Sequence, residues 1–236
     1  MRSVVICILI LLPGWLMQAY GQAVLMEEDV AGDTVPDMYG PNRRHFVFEY
    51  VGFGSHGGQA EKNGRINGAS SIQSRLGYTY KLRINQLLAT GISLGYAYDV
   101  FAIKQTDNKA IPDTVRHSSE KMRFHLLTSN AFFRISLSPR RGNILGNYID
   151  LGGYGNCVLG ANHKTIDDMP DGTRIKTVVS REGLHETLQY GLFSKLGFQF
   201  VVIFAEYRMS DLFKANRNIP ETPRFMAGIE FNLPMQ

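Results

Sequence analysis

The stretch that decides the fold runs from residue 88 to residue 102 and reads LATGISLGYAYDVFA. One set of alternate positions is large and mostly apolar: Thr90, Ile92, Leu94, Tyr96, Tyr98 and Val100. The set between them is small or polar: Gly91, Ser93, Gly95, Ala97 and Asp99. A period of two residues is typical of a β-strand whose two faces meet different surroundings. This stretch is therefore predicted to be a strand with one apolar face.

The same alternation recurs along the chain. Seven further strands are predicted at 45–53, 72–82, 123–137, 147–161, 184–194, 199–209 and 224–233. In 199–209 both alternate sets are apolar, and Glu206 and Arg208 indicate that the even positions face inward. Beyond residue 20 no apolar run approaches the ~20 residues of a transmembrane helix, so a helical membrane protein is excluded.

The connections between these strands alternate in length. Long connections are predicted at 54–69, 105–119 and 163–176, short ones near 83–86, 139–143 and 196–197, and one of medium length at 214–222. Barrels of the outer membrane have an even number of strands, short periplasmic turns and longer outer loops. We therefore predict an all-β fold, an eight-stranded antiparallel up-and-down transmembrane β-barrel over residues 44–236, with both termini in the periplasm.

Aromatic residues fall at two heights in this arrangement. The periplasmic ends of the strands hold Phe46, Phe48, Tyr78, Tyr80, Phe133 and Phe231, and the outer ends hold Tyr96, Tyr98, Tyr207 and Phe213. Aromatic rings favour the two interfaces of a bilayer, where membrane barrels form girdles of them. The placement therefore favours a barrel that spans the outer membrane.

A secreted, lipocalin-like barrel is the main alternative, with its apolar face turned inward around a ligand. The more polar face of the predicted strands is rich in small residues and carries eight charges: Glu49, Arg75, Arg134, Asp150, Glu206, Arg208, Arg224 and Glu230. Small residues with opposite charges suit the narrow lumen of an eight-stranded barrel, which side chains can fill. We therefore favour the membrane barrel, and we predict a closed lumen with structural ion pairs.

The N-terminal segment has the features of an export signal. Residues 1–21 combine Arg2, a short apolar stretch and the small residues Ala19 and Gly21, which predicts a signal peptide cleaved after Gly21, or alternatively after Ala23. A retained anchor helix is the less favoured interpretation. Residues 22–43 are predicted to be an acidic periplasmic tail, because residues 22–40 contain five acids and no Lys or Arg.

Two segments near the C-terminus suggest a family. YRMSDLFK at 207–214 and PRFMAGIEFNL at 223–233, together with the export signal and the eight strands, resemble the small PorT-like or porin-family outer-membrane barrels common in Bacteroidota. The resemblance covers nearly all of the chain after the signal and is specific for the fold. It implies a role in protein secretion (type IX), surface attachment or envelope integrity, and it brings no catalytic motif.

Enzymatic sites are weakly supported. An outer-membrane lipid hydrolase would need a serine beside a histidine and an acid, for which His117, Ser118 and Glu120, or His185 with Glu186, are the candidates. Such residues in a loop are most often solvated surface. Residues 167–172 read DDMPDG, which indicates a tight turn better than a calcium loop. No catalytic, cofactor or metal site is predicted, and the protein is not expected to be an enzyme.

Binding at the outer rim is the most credible activity. Six basic residues are predicted to gather there: Lys104, Arg116, Lys121, Arg123, Lys176 and Arg181. Lipopolysaccharide places phosphate groups at this height, and opposite charges favour contact. A rim that is merely solvated is an equally weighted alternative. Nucleic-acid binding is not supported, because no basic stripe with interleaved aromatic residues is present.

Two functional hypotheses follow. The first is a non-enzymatic outer-membrane barrel that acts through its loops in envelope structure or surface interaction, with outer-membrane lipid and lipopolysaccharide as partners. The second is an accessory barrel of a secretion apparatus, in which the tail at 22–43 and the short turns contact secretion or envelope proteins. Deletion of residues 22–40 separates them, since cargo export unchanged by the deletion would count against the second. A lipid hydrolase is a distant third.

Overall fold

The computed structural model describes residues 40–61, 63–138, 144–180, 183–217 and 219–234. The predicted signal peptide and nearly all of the predicted acidic tail lie outside these residues. No helix in the described ranges is long and apolar enough to cross a membrane.

The described residues form nine strands and three short 3-10 helices, which are joined by turns and loops. The strands are β1 His45–Gly57, β2 Ile72–Arg83, β3 Leu88–Ala102, β4 Ser119–Ser136, β5 Asn147–Asp168, β6 Arg174–Ser180, β7 Leu188–Phe198, β8 Val201–Arg208 and β9 Phe225–Pro234. The 3-10 helices are Gly40–Asn42, Gly68–Ser70 and Ala215–Arg217.

Eight of the strands close into a ring. Each pairs antiparallel with its neighbours in the order β1, β2, β3, β4, β5, β7, β8, β9 and back to β1. The strands are staggered around the ring. When the residue directly opposite is taken on each strand in turn, starting from His45, the path ends on β1 at Ser55. Such a stagger tilts the strands against the barrel axis. The predicted eight-stranded antiparallel up-and-down barrel is confirmed, and β6 lies outside the ring.

The short turns are built by local chemistry. At residues 84–87 the Asn85 side chain accepts hydrogen bonds from the backbone N–H groups of Leu87 and Leu88, at 2.8 and 2.7 Å. The β7–β8 turn lies at residues 199–200, with Gln199 at φ +58°, so its prediction at 196–197 was wrong. Gly197 instead belongs to β7, where a side chain would collide with the ring of Tyr148.

The connection predicted at 163–176 is a β-hairpin. β5 runs on to Asp168 and pairs with β6 as far as Asn162 opposite Ser180. The turn is tight, as predicted: Gly172 has φ +83°, and the Asp171 carboxylate accepts the Thr173 N–H at 2.9 Å. The loop prediction was wrong because this hairpin extends beyond the ring and β6 is exposed on both faces, so it lacks the alternation that marks a half-buried strand.

The outward face of the ring is apolar on every strand. One large side chain from each ring strand, exposed by 43–70%, illustrates this: Phe53, Leu76, Leu94, Phe133, Leu151, Leu192, Ile203 and Ile229. We call this band of outward apolar side chains the apolar belt. The predicted girdle residues Tyr78, Tyr80, Phe133, Phe231, Tyr96 and Tyr207 are exposed on it, and Tyr98 is half-buried there.

Three of the predicted girdle residues lie elsewhere. Phe46 and Phe48 point into the barrel with Tyr50, because the even positions of β1 face inward. Phe213 is buried under the long loops, where it joins a core with Phe124 and Ile111. The large rings on the inward side of β1 help to fill the lumen, and Phe213 fastens a loop to the strand ends.

Candidate functional site

The lumen is crossed by an ion-pair network centred on Arg75. Its guanidinium binds the carboxylate of Glu206 on β8 and lies 3.0 Å from Glu230 on β9. Lys195 on β7 adds a second cation to Glu230 at 2.8 Å. These four side chains are 2–7% exposed. Because each charge faces an opposite one inside the ring, the network fills the barrel without leaving a buried charge uncompensated.

A second ion pair lies nearer the short turns. Arg134 binds Asp150 through two hydrogen bonds of 2.7 Å, and its guanidinium stacks 3.5 Å from the ring of Tyr148. Below it, the Lys81 ammonium donates to the backbone carbonyl of Pro41. Aromatic rings and charges therefore occupy the lower lumen together.

The predicted lumen residues fall into two groups. Arg75, Arg134, Asp150, Glu206 and Glu230 lie inside the barrel, and Arg208 lies inside its upper end, where it pairs with Glu221 at 3.1 Å. Arg224 and Glu49 do not join them.

Arg224 lies outside the lumen because its strand begins after it, and Glu49 because the alternate positions of its strand that include it face outward. Arg224 precedes β9 at the rim and binds Asp211 in a loop. Glu49 is half-buried on the outward face, between Tyr78 and Leu233, because the odd positions of β1 face outward. Its assignment to the lumen was therefore wrong.

Sequence reasoning missed Lys81 and Lys195. Lys81 alternates in phase with Arg75 on β2, so the period of two residues places it on the same inward face. Lys195 lies one residue beyond the predicted strand end at Ser194, on the inward set with Phe193. A strand extended by one residue would have included it.

Four cations form a cluster on the outward face, above the apolar belt. Lys121 on β4 lies directly opposite Lys164 on β5, with Arg123 two residues below Lys121. Lys176 on β6 is opposite Ile166 and so shares this face. We call Lys121, Arg123, Lys164 and Lys176 the cationic face.

Electrostatics supports the proximity of these four groups. Desolvation and the neighbouring charges of Arg123, Lys176 and Lys121 lower the pKa of Lys164. Like charges on neighbouring strands repel, so the cluster is unfavourable by itself and is suited to bind anions.

The six predicted rim cations are divided by the structure. Lys121, Arg123 and Lys176 belong to the cationic face, whereas Lys104 is exposed in a loop and Arg116 binds Asp107 at 2.6 Å. Arg181 lies outside the described residues. Lys164 was missed because residues 163–176 were predicted to be a loop, which has no defined face.

Behind the cationic face, Glu120 anchors the loop at 103–118. The buried carboxylate lies 2.6 Å from Lys109 and 2.7 Å from His163, and it accepts a hydrogen bond of 2.7 Å from Gln105. Burial raises the pKa of Glu120, but hydrogen bonds from His163, Lys109 and Gln105 outweigh burial and hold this pKa below its ordinary value. The loop is thus fastened to the strand extension by charge-assisted hydrogen bonds.

The same place contains a group with metal-ligand geometry. Ligand atoms of Asp113, His117 and Glu120 lie within 4.8 Å of one another. The Lys109 ammonium, however, is 3.3 Å from Asp113 and 2.6 Å from Glu120. The lysine therefore supplies the positive charge that a bound cation would supply.

The candidate catalytic residues have separate partners. His117 Nδ1 lies 2.9 Å from Asp167, while the Ser118 hydroxyl accepts the backbone N–H of Asp168 at 3.0 Å. His185 is buried, with Nδ1 3.1 Å from the carbonyl of Glu186. These contacts hold loops and do not align a serine with a histidine base.

Two solved structures are similar to the fold. Both are crystal structures of Ail, the attachment invasion locus protein of Yersinia pestis, one of them in complex with the heparin analogue sucrose octasulfate. The complex is 12% identical, covers 80% of this chain and 99% of that chain, and has a TM-score of 0.35; the other is 12% identical, covers 79% and 97%, and has a TM-score of 0.34. No family model and no curated protein matches the chain. The PorT-like resemblance therefore stays a prediction.

Proposed function

We propose that the protein is a non-enzymatic outer-membrane barrel that binds lipopolysaccharide phosphates on its cationic face and so contributes to envelope structure at the surface. The observation that carries this proposal is the position of Lys121, Arg123, Lys164 and Lys176, outward and above the apolar belt. A belt of apolar side chains around a closed ring suits a bilayer. Phosphates of the outer leaflet would then meet the four cations.

The filled lumen supports a role at the surface over a role in transport. Arg75, Glu206, Glu230 and Lys195 cross the barrel with almost no exposed area. An eight-stranded barrel is just wide enough for such side chains, so no solute path is expected through it. The protein would therefore act through the long connections and the strand extensions on the side of the cationic face.

The test is lipid-dependent stability in vesicles. We expect bisphosphorylated lipid A to raise the unfolding temperature of the native protein relative to lipid A without phosphates, because the phosphates neutralise the clustered lysines. Lys121→Glu/Lys164→Glu should abolish this gain. Arg65→Glu/Arg217→Glu, which makes the same charge change on exposed residues outside the strands, should retain it.

Two results would contradict the proposal. One is an equal gain with and without lipid phosphates, and the other is an equal loss in both double variants. The gain should also shrink as the salt concentration rises, because exposed charges are screened.

A further inference from the structure

Strand β6 leaves one edge of the sheet open. It pairs with β5 alone, and among the described residues it is the terminal strand of a sheet whose other strands close into a ring. All seven of its residues are exposed, including Ile175, Val178 and Val179, at 43, 52 and 43%. An exposed edge of this length can accept another strand, and natural proteins blunt such edges with charged side chains, proline or a bulge. β6 contains neither proline nor a bulge, and its charged residues are Arg174 and Lys176.

The hydrogen-bonding groups of this edge follow from the hairpin turn. Met169 donates its N–H to the carbonyl of Thr173, which makes these two residues a hydrogen-bonded pair. Antiparallel pairs alternate between bonded and non-bonded. The N–H groups of Ile175, Thr177 and Val179 therefore face β5, and those of Lys176 and Val178 face the open edge.

We propose that β6 is a docking edge for an antiparallel strand of a partner protein, with a carboxylate side chain opposite Lys176 and apolar side chains opposite Ile175, Val178 and Val179. Backbone hydrogen bonds would supply the affinity, and the side chains at alternate positions the specificity. Every strand pair in the described sheet is antiparallel, and antiparallel pairs are the more stable kind.

The side chains at the edge define the charge of the partner. Lys176 lies on the cationic face, where Lys164 on the adjacent strand adds positive charge. A carboxylate opposite Lys176 would be attracted, whereas a cation there would be repelled. Arg174, nearer the tip, already binds Asp168 at 2.6 Å and so needs no partner charge.

The test uses a labelled peptide and the full protein in nanodiscs of phosphatidylcholine, which lack lipopolysaccharide. The peptide contains Val-Val-Thr-Glu-Val between soluble flanks, so that in antiparallel register these residues lie opposite Val179 to Ile175. Fluorescence anisotropy should show binding. We expect Val178→Pro, which removes one open-edge N–H and no bond to β5, to weaken it about tenfold. Val178→Ala is the matched control and should weaken it less.

Two further comparisons distinguish a peptide that pairs as a strand with β6 from one that binds only through the attraction of opposite charges. A peptide with Lys in place of Glu should bind worse than the parent to the native protein and better than the parent to Lys176→Glu. A peptide N-methylated at the two residues opposite Lys176 and Val178 should lose binding, because its own donors are removed.

Three outcomes overturn the proposal: no binding of the parent peptide, equal binding of the N-methylated peptide, or a self-association of the protein that Val178→Pro abolishes. The last would assign the edge to a second copy of this chain. The outcome is independent of the proposed phosphate binding, because phosphatidylcholine has no net charge and the peptide measurement does not use lipid A.

Discussion

Arg134 and Asp150 face each other inside the barrel, where Nε and Nη2 of the arginine each lie 2.7 Å from a carboxylate oxygen of the aspartate. The two residues are directly opposite in the β4–β5 register and are 3 and 2% exposed. A bidentate pair of this kind is strong only while both partners are present, because each alone would be a buried, uncompensated charge.

Loss of one partner should therefore be costly. We expect Arg134→Leu to lower the free energy of unfolding by about 3–5 kcal/mol. The double variant Arg134→Leu/Asp150→Leu should cost less than the single one, since it leaves no lone charge. Urea titration of the protein in vesicles, with the folded fraction taken from unboiled gels, measures both. Arg174→Leu, which breaks an exposed pair, is the control and should change little; a single-variant cost equal to this control would contradict the prediction.

The filled lumen predicts an electrically silent barrel. The native protein in a planar bilayer should show no stepwise conductance, because Arg75, Glu206 and Glu230 close the lumen. Arg75→Ala/Glu206→Ala/Glu230→Ala removes these side chains and should produce small, fluctuating ion currents in barrels that still show the unboiled gel shift. Steady conductance of the native protein would show that the ion pairs do not seal the lumen.

The fold could be predicted from sequence where the two faces of a strand differ. β3 has the predicted bounds, Leu88–Ala102, because large side chains face outward and Gly91, Ser93 and Gly95 face a crowded lumen. Of the eight ring strands, seven were predicted with both ends within four residues of their positions, whereas β5 runs seven residues past its predicted end.

The inward and outward faces could not be assigned where both sets of side chains are apolar. In β1, Phe46, Phe48 and Tyr50 alternate with Val47 and Val51, so period alone cannot say which set fills the lumen. That choice depends on the rings packed across the barrel, which come from distant parts of the chain. The cationic face was only partly predicted, because Lys164 acquires neighbours when β5 extends past the ring.

A charge placed on the apolar belt should destabilise the protein. Leu94 is outward and 43% exposed, and in the proposed bilayer it would meet lipid. Leu94→Arg should lower the free energy of unfolding in vesicles by about 2–4 kcal/mol, as for a lipid-facing arginine near the midplane. Val115→Arg, at an exposed loop residue, is the control and should have little effect. Equal stability of both variants would argue against a lipid-facing belt.

Glu49 should be replaceable with a gain in stability. It lies on the outward face between Tyr78 and Leu233, and on the described ring strands it is the only Asp, Glu, Lys or Arg that faces outward below Arg123. In a bilayer its charge is unfavourable near the interface by up to about 1 kcal/mol. Glu49→Leu should therefore raise the free energy of unfolding in vesicles. Glu61→Leu, in a loop, should give no gain; a loss on Glu49→Leu would indicate that the carboxylate has a stabilising partner.

Acid should loosen the loop at 103–118 through Glu120. Hydrogen bonds from His163, Lys109 and Gln105 hold the pKa of Glu120 below its ordinary value of 4.5. Because the folded state binds this proton more weakly than the unfolded state does, the carboxylate stabilises the loop fully above pH 4.5. That contribution declines as the pH falls below 4.5 and is lost when the pH falls below the lowered pKa of Glu120 in the folded state.

Hydrogen exchange of the backbone amides at 103–118 measures this loosening. The protection factor is the intrinsic exchange rate divided by the observed rate. It should fall as the pH is lowered from 5 to the acid limit of folding. Glu120→Gln keeps the size of the side chain but has no proton to bind, so its loop should be less protected at neutral pH and less sensitive to acid. Glu61→Gln should keep the native pH dependence. If Glu120→Gln loses protection with acid as steeply as the native protein, the neighbouring Asp113 or Asp167 must control the loop instead.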